Sequence, residues 1–167
     1  MSYFCLTLQV VLSAVLRSKA SGEEVLVATT HLKARSGALL STLRNEQGKD
    51  LQAFLADQQA DNPARPTIIS GDFNAEPTEP VYATMTDGDA GIKFKSAYAS
   101  EDGAEVPYTT WKIREDGEHI QTLDYVFYAD GGEGGASLEV DSVLDIPSGE
   151  DIGVDRLPSN RLVLSVL

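Results

Sequence analysis

Thr67-Ile68-Ile69-Ser70 is a short, apolar, β-branched run that passes straight into Gly71-Asp72-Phe73-Asn74. A strand of that kind reads as buried on both faces, which is how strands sit inside an α/β protein. The polar residues after it then lie outside the carboxyl end of a sheet strand, where α/β proteins place their sites. The surrounding chain agrees. Across residues 5–17, Leu6, Leu8, Val10, Leu12, Ala14 and Leu16 alternate with Thr7, Gln9, Val11, Ser13, Val15 and Arg17, and period two is a strand signal. Residues 24–31 read as a second strand, joined to the first by a hairpin loop over 18–23. Residues 38–60 read as a helix, with Leu40, Leu43, Gln47, Leu51, Phe54 and Leu55 near the 3.6 period. Gly48 weakens that helix and Asn62-Pro63 ends it.

Farther on, Thr78 reads as the N-cap of a short helix over 79–86, with Pro80 confined to its first turn. Strand candidates follow at 108–113, 123–128 and 138–143. Gly131-Gly132-Glu133-Gly134-Gly135 reads as a flexible connection rather than a domain boundary, residues 145–160 as loop, and Leu162 to Leu167 as a last strand. With 167 residues, the chain is expected to form one domain over 1–167, of α/β class.

Composition narrows the chemistry. A single cysteine, Cys5, rules out an internal disulfide, and with only His31 and His119 beside it no structural zinc site assembles. An intracellular, cytoplasmic setting is therefore expected. The apolar run near the N-terminus is too short to span a membrane as a helix and follows no positive charge. The formal charge of -13 repels long polyanions and attracts divalent cations. A small phosphate compound fits if the site is locally basic.

Four clusters carry candidate chemistry. Asp72 and Asn74, two apart in extended chain, would point the same way and offer a carboxylate and an amide to a metal or a phosphate. The alternative is an Asx-turn in which both cap local backbone. His31, Lys33 and Arg35 alternate at a strand end, which would place three cationic groups on one face for a phosphate, or simply in solvent. Tyr108, Trp111 and Arg114 could stack on a base or pair with phosphate, though a strand tryptophan is more often core. Asp124 is a lone carboxylate in an apolar strand and must be paired if buried, by orienting a histidine or holding a metal.

In this order the clusters resemble the endonuclease/exonuclease/phosphatase superfamily, and within it the nocturnin-like members of the deadenylase branch. The residues that carry the resemblance are Thr30-His31-Leu32-Lys33-Ala34-Arg35, Gly71-Asp72-Phe73-Asn74-Ala75-Glu76-Pro77-Thr78, Pro107-Tyr108-Thr109-Thr110-Trp111-Lys112-Ile113-Arg114 and Thr122-Leu123-Asp124-Tyr125. The resemblance implies a DNase I-like α/β sandwich: a four-layer α/β/β/α arrangement, seen here in part, with mixed, mostly antiparallel sheet. It implies phosphate-ester hydrolysis with Mg²⁺, or Mn²⁺ in its place. Asp72 would act on the attacking water or the leaving group, and Asn74 would hold the phosphate or a metal-bound water, so both are the implied metal residues. His31 would stabilise charge on the phosphoryl oxygens, and Asp124 would orient a general-base histidine. Lys33, Arg35 and Arg114 would contact substrate phosphates, with Trp111 beside them. The branch implies the 2′-phosphate of NADP(H) or the 3′ end of poly(A) RNA as substrate. The acidic charge favours the compact dinucleotide, because tracking RNA needs a diffuse basic surface.

The sequence also departs from the family. It matches the C-terminal half of such a domain and lacks the N-terminal half with its principal Mg²⁺-binding Glu. Leu157-Pro158-Ser159 is followed directly by Asn160-Arg161-Leu162, where the family has a Ser-Asp-His run with the general base. Little or no activity of the chain alone is expected, together with self-association through exposed strand edges. A catalytically dead phosphate- or nucleotide-binding module is the alternative.

Overall fold

The structure is a computed structural model that describes residues 10–143. Within them the chain runs β1 (Val11–Arg17), β2 (Glu24–His31), α1 (Ala38–Gln59), β3 (Thr67–Asp72), α2 (Pro80–Thr86), β4 (Lys95–Ser96), α3 (Ala97–Asp102), β5 (Thr110–Arg114), β6 (Gly117–Gln121) and β7 (Asp124–Ala129). A mixed sheet has the strand order β1-β2-β3-β7-β4, and β5 and β6 form a separate two-stranded ribbon. β2 and β3 are parallel, and every other neighbouring pair is antiparallel. Only the parallel pair needs a crossover, and α1 supplies it. This is the expected α/β class with mostly antiparallel mixed sheet.

One face of the five-stranded sheet is closed by helices. Leu26 and Ala28 of β2, Ile69 of β3, and Tyr125, Phe127 and Ala129 of β7 meet Leu51 and Leu55 of α1 and Val81 and Met85 of α2 in one core. Phe73 joins it and packs edge-on against both Tyr125 and Phe127. The other face carries the alternate residues. Val11 packs against the core while Leu12 and Leu16 are 69% and 52% exposed, so the apolar side of the β1 alternation points away from the helices.

α1 covers 38–60 almost as expected, but its deepest residues are not those of the simple apolar stripe. Arg44 and Gln52 are buried beside Leu51 and Leu55. Gln52 earns its place by bonding: its amide donates to Thr84 O and Ile92 O and accepts from Ile92 N–H, which closes the loop after α2. Gly48 is not merely a weak point. A Cβ there would stand 2.7 Å from Val81 Cγ2, so glycine lets α1 and α2 approach.

Several expectations are corrected. Gly71 and Asp72 lie in β3, not in a loop, because both neighbouring strands continue the ladder to Asp72. Glu79, not Thr78, is the N-cap of α2. No strand forms at 138–143: Leu138 N–H instead bonds Asp130 Oδ1 at 2.8 Å and closes a loop. The glycine run is not a free linker. Gly132 N–H bonds Pro63 O, Gly131 N–H bonds Ala136 O, and a Cβ on Gly131 would meet Ala64 O at 1.9 Å. Residues 145–160 and Leu162 to Leu167, like the start of the first strand before Val10, lie outside the described residues.

A charged knot ties the sheet edge to the loop before β3. Glu24 takes Arg17 from β1 on one oxygen, and Arg65 with Asn62 on the other. Bonds from Arg17 and Arg65 hold the Glu24 carboxyl down at about 2, against an ordinary 4.5. A lowered carboxylate pKa contributes stability that is present above the unfolded value and lost as pH falls through the folded one. Acid unfolding between pH 4.5 and 2 should therefore be less steep in Glu24→Gln than in the parent, read by circular dichroism. Equal slopes would show that the knot carries no net stability.

Candidate active site

The ladder registers set His31 of β2, Asp72 of β3 and Asp124 of β7 side by side across three strands. His31 Nε2 lies 3.5 Å from Asp72 Oδ2. The other Asp72 oxygen accepts the Asn74 backbone N–H at 2.8 Å, while Asn74 Nδ2 donates to Leu32 O at 3.1 Å. Asn74 has φ 49, so the chain turns there and the extended i, i+2 geometry does not hold. The Asx-turn alternative forms in part: Asp72 caps local backbone, while the Asn74 side chain reaches Leu32 O at the end of the neighbouring strand, and the second Asp72 oxygen is left to face His31.

Asp124 is 2% exposed. Its Oδ2 accepts both Thr109 and Thr110 hydroxyls at 3.1 Å, and Thr109 Oγ1 in turn accepts the Leu123 and Asp124 N–H groups at 2.9 Å. Among the described residues the partners of this carboxylate are thus threonines, not a histidine. Burial, and then the neighbouring Asp72 charge, raise its pKa above the ordinary carboxylate value against the pull of Thr109, Thr110 and Lys112. His119 is not its partner either: it sits in β6, and its Nε2 is 2.9 Å from Asp116 Oδ1.

The basic residues come from two places. β2 ends at His31, so Lys33 and Arg35 belong to the β2–α1 loop rather than alternating along a strand. Arg35 adopts φ 82, a left-handed conformation that non-glycine residues rarely hold. On the ribbon, Arg114 lies three residues from Trp111 and so on the opposite side of β5. Thr110, Lys112 and Arg114 share the side that meets Asp124 through Thr110. Trp111 is half-buried, edge-on to Tyr108 and bonded through its indole N–H to Glu118. It is neither core nor on the Arg114 side. Thr109, Thr110 and Lys112 stand at Asp124 beyond the residues expected from sequence, and the unbroken Thr-Thr pair before Trp111 is the signal that marks such hydroxyl donors.

Among the described residues, no three His, Cys, Asp or Glu side chains converge as a closed cage. Two carboxylates facing each other in register, with an amide beside them, do suit Mg²⁺, which is usually held by one or two carboxylates plus substrate phosphate and water.

The fold is of α/β class, a mixed sheet with helices on one face, with Asp72 at the carboxyl end of its central strand and Asp124 beside it on β7. The chain belongs to the Endonuclease/Exonuclease/phosphatase family, whose sequence pattern matches residues 15–148. It is similar to Nocturnin of Drosophila melanogaster, at 46% identity over 172 residues, covering 90% of this chain and 25% of that one. Homo sapiens Nocturnin is 43% identical over 155 residues, covering 92% and 34%. The chain thus spans only about a quarter to a third of these relatives. The human Nocturnin catalytic domain, solved with a bound sulfate anion, superposes with TM-score 0.61 at 40% identity over 72% of this chain and 41% of that one. D. rerio TDP2, complexed with a single strand DNA product, shares the fold with TM-score 0.57 at 17% identity over 78% and 50%. Among the described residues no helix is long and apolar enough to cross a membrane.

Proposed function

We propose that this chain contributes one single-domain unit of a nocturnin-like nucleotide phosphoesterase site, with the 2′-phosphate of NADP(H) as the preferred group. The observation that carries the reading is the row His31, Asp72 and Asp124, aligned across three paired strands between a Lys33–Arg35 loop and a Lys112–Arg114 ribbon side. Such a site binds a compact phosphate between two basic walls and meets it with carboxylates from below. Lys33, Arg35 and Arg114 would grip the phosphate, and His31 would stabilise its oxygens as charge develops. Asp72, fixed by Asn74, would position the water or the leaving group, and Asp124 would support it from the adjacent strand. Trp111 would border the site from the far side of the ribbon. Asp72 and Asn74 would hold Mg²⁺, or Mn²⁺, which supplies charge neutralisation to the phosphate when bound. The sulfate carried by the human relative is an anion of the same shape and supports the phosphate reading. An intracellular setting is part of the same reading.

Phosphate release from NADPH, measured with malachite green with Mg²⁺ or EDTA, tests this directly. Slow release that needs Mg²⁺, no shortening of a labelled poly(A) oligonucleotide, and tighter binding of NADPH than of NADH are expected. Poly(A) shortening that outruns phosphate release would reverse the choice of substrate, and equal binding of NADPH and NADH would sink the phosphate pocket. One observation favours a second reading, a binding module without turnover: no histidine lies on Asp124 among the described residues, and a lost general base lowers rate by roughly 10²–10⁴. No release, with NADPH binding abolished in Arg114→Ala, would select it.

The same reading includes self-association. Among the described residues β1 is an edge strand whose Leu12 and Leu16 are each more than half exposed, and such edges pair with other chains. Light scattering after size exclusion should show mass rising with concentration in the parent and not in Leu12→Lys. A monomer at all concentrations would dismiss it.

A further inference from the structure

The largest fully buried side chain among the described residues is a cation that stands outside the row His31, Asp72 and Asp124. Arg44 of α1 is 1% exposed. Its Nη1 donates to Lys33 O at 3.1 Å and to Arg35 O at 2.7 Å, and its Nη2 reaches Glu79 Oε2 at 2.5 Å. One turn on, Gln47 Oε1 accepts the Lys33 N–H at 3.1 Å. From the other side, Asp72 O accepts the Leu32 N–H at 2.9 Å and Asn74 Nδ2 donates to Leu32 O. Apart from Asp72 O, every backbone group that these bonds engage belongs to the loop bearing Lys33 and Arg35.

Two physical facts make this more than packing. A buried guanidinium is costly to desolvate and is retained only where its donors are used. Here Nη1 serves the two carbonyls that flank Ala34 and Nη2 the carboxylate just ahead of α2, while Nε is buried without a partner among the described residues. Arg35 is also held at φ 82, a strained conformation for a non-glycine residue that persists only where its surroundings over-determine it. The Arg35 carbonyl is the one that Arg44 grips at the shorter distance. Glu79 closes the loop that begins at Asp72 and Asn74, so the Arg44–Glu79 pair joins the two loops on which the candidate site stands.

We propose that Arg44 and Glu79 are positioning residues that hold the Lys33–Arg35 loop at a fixed distance from Asp72 and Asn74, and so set the selectivity of the site for a nucleotide that carries an extra phosphate. This rests on the phosphate-pocket reading above. Burial opposes ionisation of Glu79, yet bonds from Ser41 and Arg44 outweigh it and keep the carboxyl below its ordinary pKa, so the pair is charged at neutral pH.

The test is the ratio of NADPH to NADH affinity, by calorimetry with Mg²⁺, in the parent, Glu79→Gln and Arg44→Lys, with the urea midpoint measured alongside. Glu79→Gln keeps an acceptor and removes the charge at a helix cap, so it is the variant expected to stay folded. Arg44→Lys cannot span two carbonyls and a carboxylate at once. The NADPH preference should fall about tenfold in Glu79→Gln and further in Arg44→Lys, with NADH affinity unchanged. A folded Glu79→Gln that keeps the parent preference overturns the inference and leaves the pair a structural clamp. A parent that shows no preference overturns the phosphate pocket itself, and the inference with it.

Discussion

Gly71→Ala should lose at least about 3 kcal/mol of folding stability, seen as a large drop in urea midpoint by circular dichroism. A Cβ at Gly71 would stand 2.0 Å from Thr30 O, with Thr30 C and N also within about 3 Å. The obstacle is backbone, not a side chain that can swing away. Gly71 pairs with Thr30 on one side and Tyr125 on the other, so β3 cannot shift from β2 without opening its ladder to β7. Its φ of 155 adds strain for any L residue. The damage is not confined to stability. Thr30 and Gly71 directly precede His31 and Asp72 in the paired strands, so a splayed ladder moves the two candidate site residues apart. A variant with an unchanged midpoint would mean that the strands part there at little cost, and the rigid placement of Asp72 would fall with it.

That glycine also shows what could be read in advance. Ser70-Gly71-Asp72-Phe73-Asn74 marks the site from sequence because each residue type answers a local demand: no Cβ where β2 presses in, a carboxylate at the strand end, an aromatic for the core, and a residue that tolerates positive φ. β2 was legible to the residue because an apolar run bounded by turn residues has few other solutions. What stayed hidden depends on partners distant in sequence. β4 has two residues and exists because Phe127 and Tyr128 offer an edge. The alternation at 138–143 suits a strand, but Asp130 captures its first N–H and no ladder forms. Lys33 and Arg35 share a parity, yet β2 stops at His31, and side chains take the carbonyls that follow: Asn74 that of Leu32, Arg44 those of Lys33 and Arg35. Arg44 itself reads as a surface residue on a helix, and only the fold shows the loop it enters.

Asp124→Asn should be more stable than the parent at pH 7 in EDTA, and it should respond far less to Mg²⁺. The folded-state pKa of Asp124 is raised, first by burial and then by Asp72. A raised carboxylate contributes stability below its unfolded pKa and loses it as pH rises through the folded value. At neutral pH the charged form is therefore a net burden on the fold. Asparagine has the same shape, its carbonyl accepts the same Thr109 and Thr110 hydroxyls, and its amide faces Asp72 without repulsion. The stability gap should close as pH falls, since the parent then gains the proton that the variant does not need. Mg²⁺ should close it from the other direction by relieving the two facing carboxylates. Removing one of them should weaken the cation's stabilising effect about 10- to 100-fold in apparent affinity, read as the Mg²⁺ concentration that raises the thermal midpoint. If Asp124→Asn is instead the less stable form at pH 7 in EDTA, the charge is serving the fold and the two carboxylates are ordinary structure. If the prediction holds, the fold tolerates a charge that weakens it, and such a trade is expected where a binding site, rather than the core, sets the residue.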